Sequence, residues 1–332
     1  MAITLAEAKV GMADKVVQTV IDTFRRSSLL LDRLTFDNAI SPGTGGSTLT
    51  YGYIQLKTPS TANVRTINSE YTAGEAKREE KTAKAVIMGG SFEVDRVLQN
   101  TSGAVDELAF QAEQKIKATS NYFHNLVING TSASSGSGYV TGTFDGLKKL
   151  LSGTANEFTA TTDLSTSALM DTNYGAFLDE LDTFIASVDG TPTMLLMNKD
   201  MLAKVRACAR RAGYYGRSRD EFGREVEAYN GIALVDVGKY YNGTATVDVI
   251  PTTNPSASAD GTTDIYAVTL GLDALHGISP TGNSVINAYM PNMSDPGAVK
   301  KGEVELVAGI ALKNTLKCAV LKGIKVKPKT AA

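Results

Sequence analysis

The stretch SGAVDELAFQAEQKIKATSNYFHNLVINGT, residues 102–131, decides how the rest of the chain is read. Val105, Leu108, Ala109, Ala112, Ile116, Thr119, Phe123 and Leu126 recur at steps of three and four, which on an α-helix gathers them on one face. Asp106, Glu107, Glu113, Lys115 and Lys117 fill the opposite face, and Ser102 stands where an N-cap is wanted. At ~1.5 Å per residue the spacing predicts a helix of roughly 40 Å, a spine across a domain. Asn129-Gly130-Thr131 ends it.

Upstream, Thr4 and Glu7 have capping-box spacing, and Leu5, Ala8, Met12, Val16, Val20 and Phe24 predict an amphipathic helix. Leu29, Leu30, Leu31, Leu34 and Phe36 prolong it into an apolar arm that wants a surface to lie on. Turn chemistry at Ser41-Pro42-Gly43 and Gly45-Gly46 opens a strand-like stretch through Thr48, Thr50, Ile54 and Leu56. After a polar tip at Pro59 to Asn63, the chain passes Val64, Ile67 and Tyr71. It returns through Lys77-Arg78-Glu79-Glu80-Lys81 to Val86, Ile87 and Met88. A two-stranded excursion so poor in apolar content is marginal alone in water. Segments 1–40 and 45–88 are therefore expected to complete their burial on sister copies.

Downstream, Ser132 to Gly138 is a Ser/Gly stretch with linker composition, a candidate domain boundary. Tyr174, Phe177, Leu181, Phe184, Ile185 and Val188 predict a helix, and Met194 to Met197 a buried strand. Asn198 caps a helix carrying Met201, Leu202, Val205 and Ala209, which Gly213 stops. Asn230-Gly231 is a strong hairpin signal. Val304, Leu306, Ala308, Ile310 and Leu312 alternate with polar residues as a strand does. A further strand covers Cys318 to Val326, and Tyr289 to Gly302 reads as a projecting loop.

Composition excludes several classes of function. Lys plus Arg number 33 against 35 for Asp plus Glu, so no uniform basic field is offered to nucleic acid. Cys208 and Cys318 lack CxxC spacing, and His124 and His276 are the only histidines, so no metal site and no cofactor is expected. Both histidines read as satisfied structural residues and both cysteines as small buried ones. No run of about 18 uncharged apolar residues suggests a membrane span, and the N-terminus lacks a signal peptide's apolar run. Gly43-Thr44-Gly45-Gly46 lacks the Lys-Ser/Thr of a phosphate loop, and no Gly-x-Ser-x-Gly elbow occurs. The chain is not expected to be an enzyme. Lys77-Arg78-Glu79-Glu80-Lys81 is either a solvated face or a set of ion-pairing partners between subunits. Arg206, Arg210, Arg211, Arg217, Arg219 and Arg224, with Tyr214, Tyr215 and Phe222, could face nucleic acid; the intervening Asp220, Glu221 and Glu225 favour a protein interface.

The order of parts resembles the capsid proteins of tailed phages, whose fold encapsulins share. Residues 104–131 and Gly142-Thr143-Phe144-Asp145-Gly146-Leu147 resemble the family's spine helix and its exit. Thr193 to Leu202, Gly213 to Gly223 and Val226 to Val235 resemble its strand and capped helix, its loop at the capsomer centre and its hairpin. Asp264 to Val268 precedes the final strands as in that family. The resemblance implies an α+β, HK-97-like capsid fold. Its parts would be an N-terminal arm (1–40), an extended E-loop ribbon (41–94), a P-domain with the spine helix (95–141, with returning strands near 283–313) and an α/β A-domain (142–282, with a strand near 314–327). It also implies a subunit of an icosahedral shell around double-stranded DNA, with hinges near Gly89-Gly90 and Gly130. An encapsulin-like cellular shell is the alternative; a tail or decoration protein and a soluble enzyme stand further off.

The expected partners are further copies of the chain in pentamers and hexamers, a portal and a decoration protein. Because the chain starts directly in the arm, a separate scaffolding protein, or none, is implied. Packaged DNA would be touched only weakly and no membrane is involved, with assembly in the host bacterial cytoplasm. Contacts between subunits are expected at Arg65, Glu70, Lys77, Arg78, Glu79, Glu80, Arg211, Tyr214, Tyr215, Arg217 and Asp295. Lys57 is a candidate for the covalent cross-linking known in part of the family.

Overall fold

The computed structural model describes residues 29–38, 40, 49–97, 107–213, 216–219, 225–256, 258–281, 285–292 and 294–330. The helix expected over residues 4–24, the Ser102 cap, Tyr214, Tyr215 and Phe222 lie outside them. Helix α1 (Leu29–Arg33) leads into β1 (Phe36–Asp37), the strands β2 (Thr50–Thr58) and β3 (Lys77–Lys84), and β4 (Val86–Asp95). Next come α2 (Glu107–Asn129), α3 (Leu147–Leu150), β5 (Glu157–Thr159), α4 (Ser167–Ala186), β6 (Met194–Met197) and α5 (Lys199–Arg211). The strands β7 (Gly216–Arg219), β8 (Glu225–Tyr229), β9 (Ile232–Asp236), β10 (Lys239–Tyr241) and β11 (Thr246–Asp248) follow. Then come β12 (Gly261–Val268), β13 (Leu275–Ile278), β14 (Ile286–Tyr289), β15 (Val299–Leu312) and β16 (Cys318–Lys327).

A seven-stranded mixed sheet in the order β5-β16-β12-β6-β9-β8-β7 is built around β6. All four residues of β6 are buried, and the two-residue period sends them to opposite faces. Leu195 and Met197 meet Phe177, Leu181, Met201 and Val205 of α4 and α5 on one side. Met194 and Leu196 join the core around α2 on the other. The Asn198 carbonyl oxygen Oδ1 accepts the Met201 amide at 2.8 Å, so the strand hands directly into a capped helix. Gly213, at φ +78, terminates that helix, and Asn230 and Gly231, at φ 50 and 79, make the β8–β9 turn.

The second sheet is organised by β15. Along Val299 to Ala308 it pairs antiparallel with β4, and β13 and β14 pair with it as well. Strand β1 adds to β13 in parallel. Helix α2 is 23 residues long, about 34 Å, and lies on this sheet. Ala112, Ile116, Phe123, Leu126 and Val127 bury against Met88, Phe92, Val94, Val304, Leu306 and Ala308. Strand β13, within the stretch 142–282 read as one domain, thus belongs to the sheet of β15, whereas β16 joins the other sheet.

Three expectations are corrected. First, the end of the arm completes its burial within its own molecule: Leu30, Leu31, Leu34 and Phe36 lie in the main core. The Phe36 ring packs over Gly277, where a Cβ would fall 2.4 Å from Cδ1. Second, Gly89 and Gly130, read with Gly90 as hinges, are close approaches. Gly89, at φ +149, is paired inside β4, and a Cβ there would sit 2.0 Å from the Val304 carbonyl oxygen; one at Gly130 would meet the Phe144 carbonyl oxygen at 2.5 Å. Third, neither histidine is satisfied: His124 Nε2 and both ring nitrogens of His276 lack a well-formed hydrogen bond among the described residues. The Ser132 to Gly138 stretch has pinned ends: the Thr131 amide donates to the Val140 carbonyl and the Val140 amide to the Asn129 carbonyl, and Asp145 accepts the Ser132 amide at 2.6 Å.

Candidate assembly interface

Among the described strands, β2 and β3 pair only with each other, from Thr50↔Lys84 to Thr58↔Lys77 with an irregularity after Leu56. From Leu56 to Arg78 every residue is exposed. The pleat divides the ribbon into two unlike faces. One carries Tyr51, Tyr53, Gln55 and Lys57, opposite Ala83, Lys81 and Glu79; the other carries Gly52, Ile54 and Leu56, opposite Thr82, Glu80 and Arg78.

The first face is anchored and neutralised within the chain. Tyr51 and Tyr53 stack 5.9 Å apart and are buried with Ile40, Ala85, Ile278 and Ala311 in a small satellite core. The Tyr51 hydroxyl donates to Asp37 at 3.3 Å, and Gln55 donates to the Leu312 carbonyl at 3.0 Å. Further out, Glu79 takes Lys81 at 2.7 Å and Lys57 at 3.5 Å. The hydrogen bond from Lys81, with Lys57 beside it, holds the Glu79 carboxyl below the usual carboxylate range. Lys57, the candidate cross-linking residue, thus sits in an ion pair within its own ribbon.

The second face has no such cover. Ile54 and Leu56 are 67% and 64% exposed, and neither Arg78 nor Glu80 has an ion pair among the described residues. Beyond them Val64, Ile67 and Tyr71 are exposed at the tip. There Arg65 donates to the Ser69 carbonyl at 3.2 Å and lies over the Tyr71 ring, while Glu70 is exposed. The charged run of β3 is therefore two sets of residues: Glu79 and Lys81 turned to their own chain, Arg78 and Glu80 flanking an apolar pair. Ile54 and Leu56 were legible only as strand residues. The signal for more was that residues 51–56 are apolar at both parities, while only one parity can meet the parent chain.

The remaining expected contacts do not gather with the ribbon. Arg211 on α5 is held by Asp171 of α4 at 2.6 Å, and Arg206 by Glu227 at 2.7 Å, so two of the six arginines of the cluster are paired with acids. The main chain of Arg217 pairs with Glu227 in the β7–β8 edge of the seven-stranded sheet. Asp295 lies in the loop before β15, where its carboxylate accepts Asn292 Nδ2 at 2.9 Å. Its carbonyl accepts the ammonium of Lys300, a lysine only 4% exposed whose burial no sequence pattern announced. Among the described residues no three His, Cys, Asp or Glu side chains cluster to hold a metal, and no helix is long and apolar enough to cross a membrane. Burial pushes the Cys208 and Cys318 thiols up to about 11 and about 12, which leaves them protonated.

The family model of the SU10 major capsid protein matches residues 14–239 of this chain. Among solved structures, the fold is similar to the SrpI encapsulin of Synechococcus elongatus PCC 7942 in its holo complex. The TM-score is 0.58 at 16% identity, covering 91% of this chain and 89% of that one. It is also similar to the capsid of a native GTA particle (TM-score 0.55, 10% identity, 91% and 90% covered). The capsid of Myoviridae phage XM1 is a further likeness (TM-score 0.53, 14% identity, 89% and 91% covered). No curated protein sequence matches. The likenesses establish an α+β fold of the HK-97-like capsid type over nearly the whole chain.

Proposed function

Since the chain belongs to the SU10 major capsid protein family, and is thus a structural subunit of a phage capsid shell, we propose that its ribbon clasps a neighbouring copy through the face of Ile54, Leu56, Arg78 and Glu80. The observation that carries this is the contrast between the two faces of β2–β3. One is covered and charge-paired by the parent chain; the other exposes two large aliphatic side chains between two charges without ion pairs. Covering Ile54 and Leu56 contributes about 1–2 kcal/mol each. That is weak for one contact, but every subunit of a closed shell both gives and receives it.

On this reading β2–β3 is the E-loop. Helix α2 with the sheet of β4, β13, β14 and β15 is the P-domain, and the seven-stranded sheet with α4 and α5 is the A-domain. The shell is icosahedral, with pentamers and hexamers enclosing double-stranded DNA, and it assembles in the host bacterial cytoplasm. A portal, a scaffolding protein and a decoration protein are its proposed heterologous partners. The subunit catalyses nothing. Near-equal numbers of acidic and basic residues suit weak contact with packaged DNA. An encapsulin-like shell shares the fold; the family match over residues 14–239 favours the phage shell.

The test replaces Ile54 and Leu56 together by Asp. Both positions are exposed, so the subunit should keep its unfolding midpoint. Negative-stain microscopy and gel filtration should show subunits or capsomers where the parent protein gives shells. Shells forming at the parental concentration would overturn the reading.

A further inference from the structure

His276, on β13, is 0% exposed and sits at the root of the ribbon. Its ring meets the Tyr51 ring edge-to-face at 5.7 Å, and Tyr51, with Tyr53 and Gln55, holds β2 down. Neither imidazole nitrogen has a well-formed hydrogen bond. The charged and titratable groups facing this spot come from three elements. Tyr51 of β2 donates to Asp37 at the end of β1, and Lys313, just past β15, places its ammonium 5.5 Å from the Tyr51 ring. The apolar residues packed with Tyr51 are Ile40, Tyr53, Ala85, Ile278 and Ala311, with Ala83 and Val307 at their edge.

We propose that His276 is a proton-operated latch for the ribbon: neutral, it lets Tyr51 seat on β13; protonated, it drives the root of β2–β3 off the sheet. An imidazolium carries two N–H donors and a charge. In the seated state it would find the Tyr51 ring, a like-charged ammonium and an aspartate that already accepts from Tyr51. Lifting the ribbon returns both nitrogens to water. Burial, reinforced by Lys313 and only partly offset by the main chain of Ala274 and by Asp37, lowers the basicity of His276 from its usual 6.5. The sign follows. The seated ribbon keeps its full advantage above pH 6.5 and loses it as pH falls toward the depressed value, by up to about tenfold per pH unit. The latch is a property of the single chain. Only its consequence for shells rests on the reading of the ribbon as a clasp.

The test is hydrogen exchange of the unassembled full chain at pH 7.5 and 5.5, corrected for intrinsic rates. It follows peptides over Leu49–Tyr53 and Ala83–Met88, with Met194–Met197 as the internal reference. The wild type should show up to tenfold faster exchange at the ribbon root at pH 5.5 and none at β6. His276→Leu should abolish the response. Lys313→Met should weaken it, because loss of the like charge brings the seated His276 closer to 6.5; this variant keeps the test alive should His276→Leu misfold. No local acceleration in the wild type, or an unchanged one in either folded variant, would sink the latch. A working latch combined with pH-independent shell formation would instead count against the ribbon as clasp.

Discussion

Asn198 shows how much one side chain can carry. Its oxygen caps α5, while its amide nitrogen lies within 3.0 Å of the Ile250 carbonyl and of the Thr252 and Thr263 hydroxyls. All of this happens at 3% exposure, so each group left without a partner there keeps its desolvation penalty. Asn198→Ala should therefore cost about 2–4 kcal/mol, the lost cap plus stranded acceptors, read as a lower urea midpoint with unchanged slope. Asn198→Asp separates the two parts. It keeps the acceptor for Met201 but sets a carboxylate against the Ile250 carbonyl, so it should be no better than Ala. Recovery of parental stability by Asp would mean that the cap alone matters.

At the scale of elements, what was legible in the sequence was what local chemistry decides. The buried run at Met194–Met197, the Asn198 cap, the Gly213 stop and the Asn230-Gly231 turn each depend on neighbours within four residues. Gly89 was misread because its need for no side chain comes from Val304, more than two hundred positions away in the chain. Leu30 to Phe36 read as an exposed arm because nothing local reveals that Gly277 leaves room for the Phe36 ring. The β3 charge run read as one patch because its partition depends on the register with β2. That partition is testable. Arg78→Glu, beside Ile54 and Leu56, should raise the critical concentration for shell assembly by roughly tenfold, about 1.4 kcal/mol per contact. Glu79→Gln, on the face already neutralised by Lys57 and Lys81, should change it by at most about twofold. The reverse ranking in light-scattering assembly assays would mean that the faces are exchanged in the shell.

For the whole molecule, α2 is the common wall of its two sheets, so a burden placed on α2 is felt globally. Phe123 stands between Phe36 and Phe144, at 6.2 and 6.1 Å, and His124 beside it is buried with Nε2 unpartnered. Burial pushes the His124 basicity down to about 4 from an ordinary 6.5. The folded chain thus refuses a proton that the unfolded chain accepts. Stability is intact above pH 6.5, declines as pH falls below it and stops declining near pH 4. By pH 4.5 the loss is about 2–3 kcal/mol. His124 lies on α2, whose apolar face packs in the main core and not in the satellite core of Tyr51 and Tyr53, so this term belongs to unfolding and not to the latch at His276. His124→Leu removes the titration along with a buried nitrogen that lacks a partner, so at pH 7 it should be neutral or stabilising. In denaturant unfolding of the unassembled subunit, the variant should gain about 2–3 kcal/mol on the wild type between pH 7 and 4.5. Parallel loss in the two proteins over that range would show that His124 finds a partner in solution and that acid acts on the subunit through its carboxylates instead.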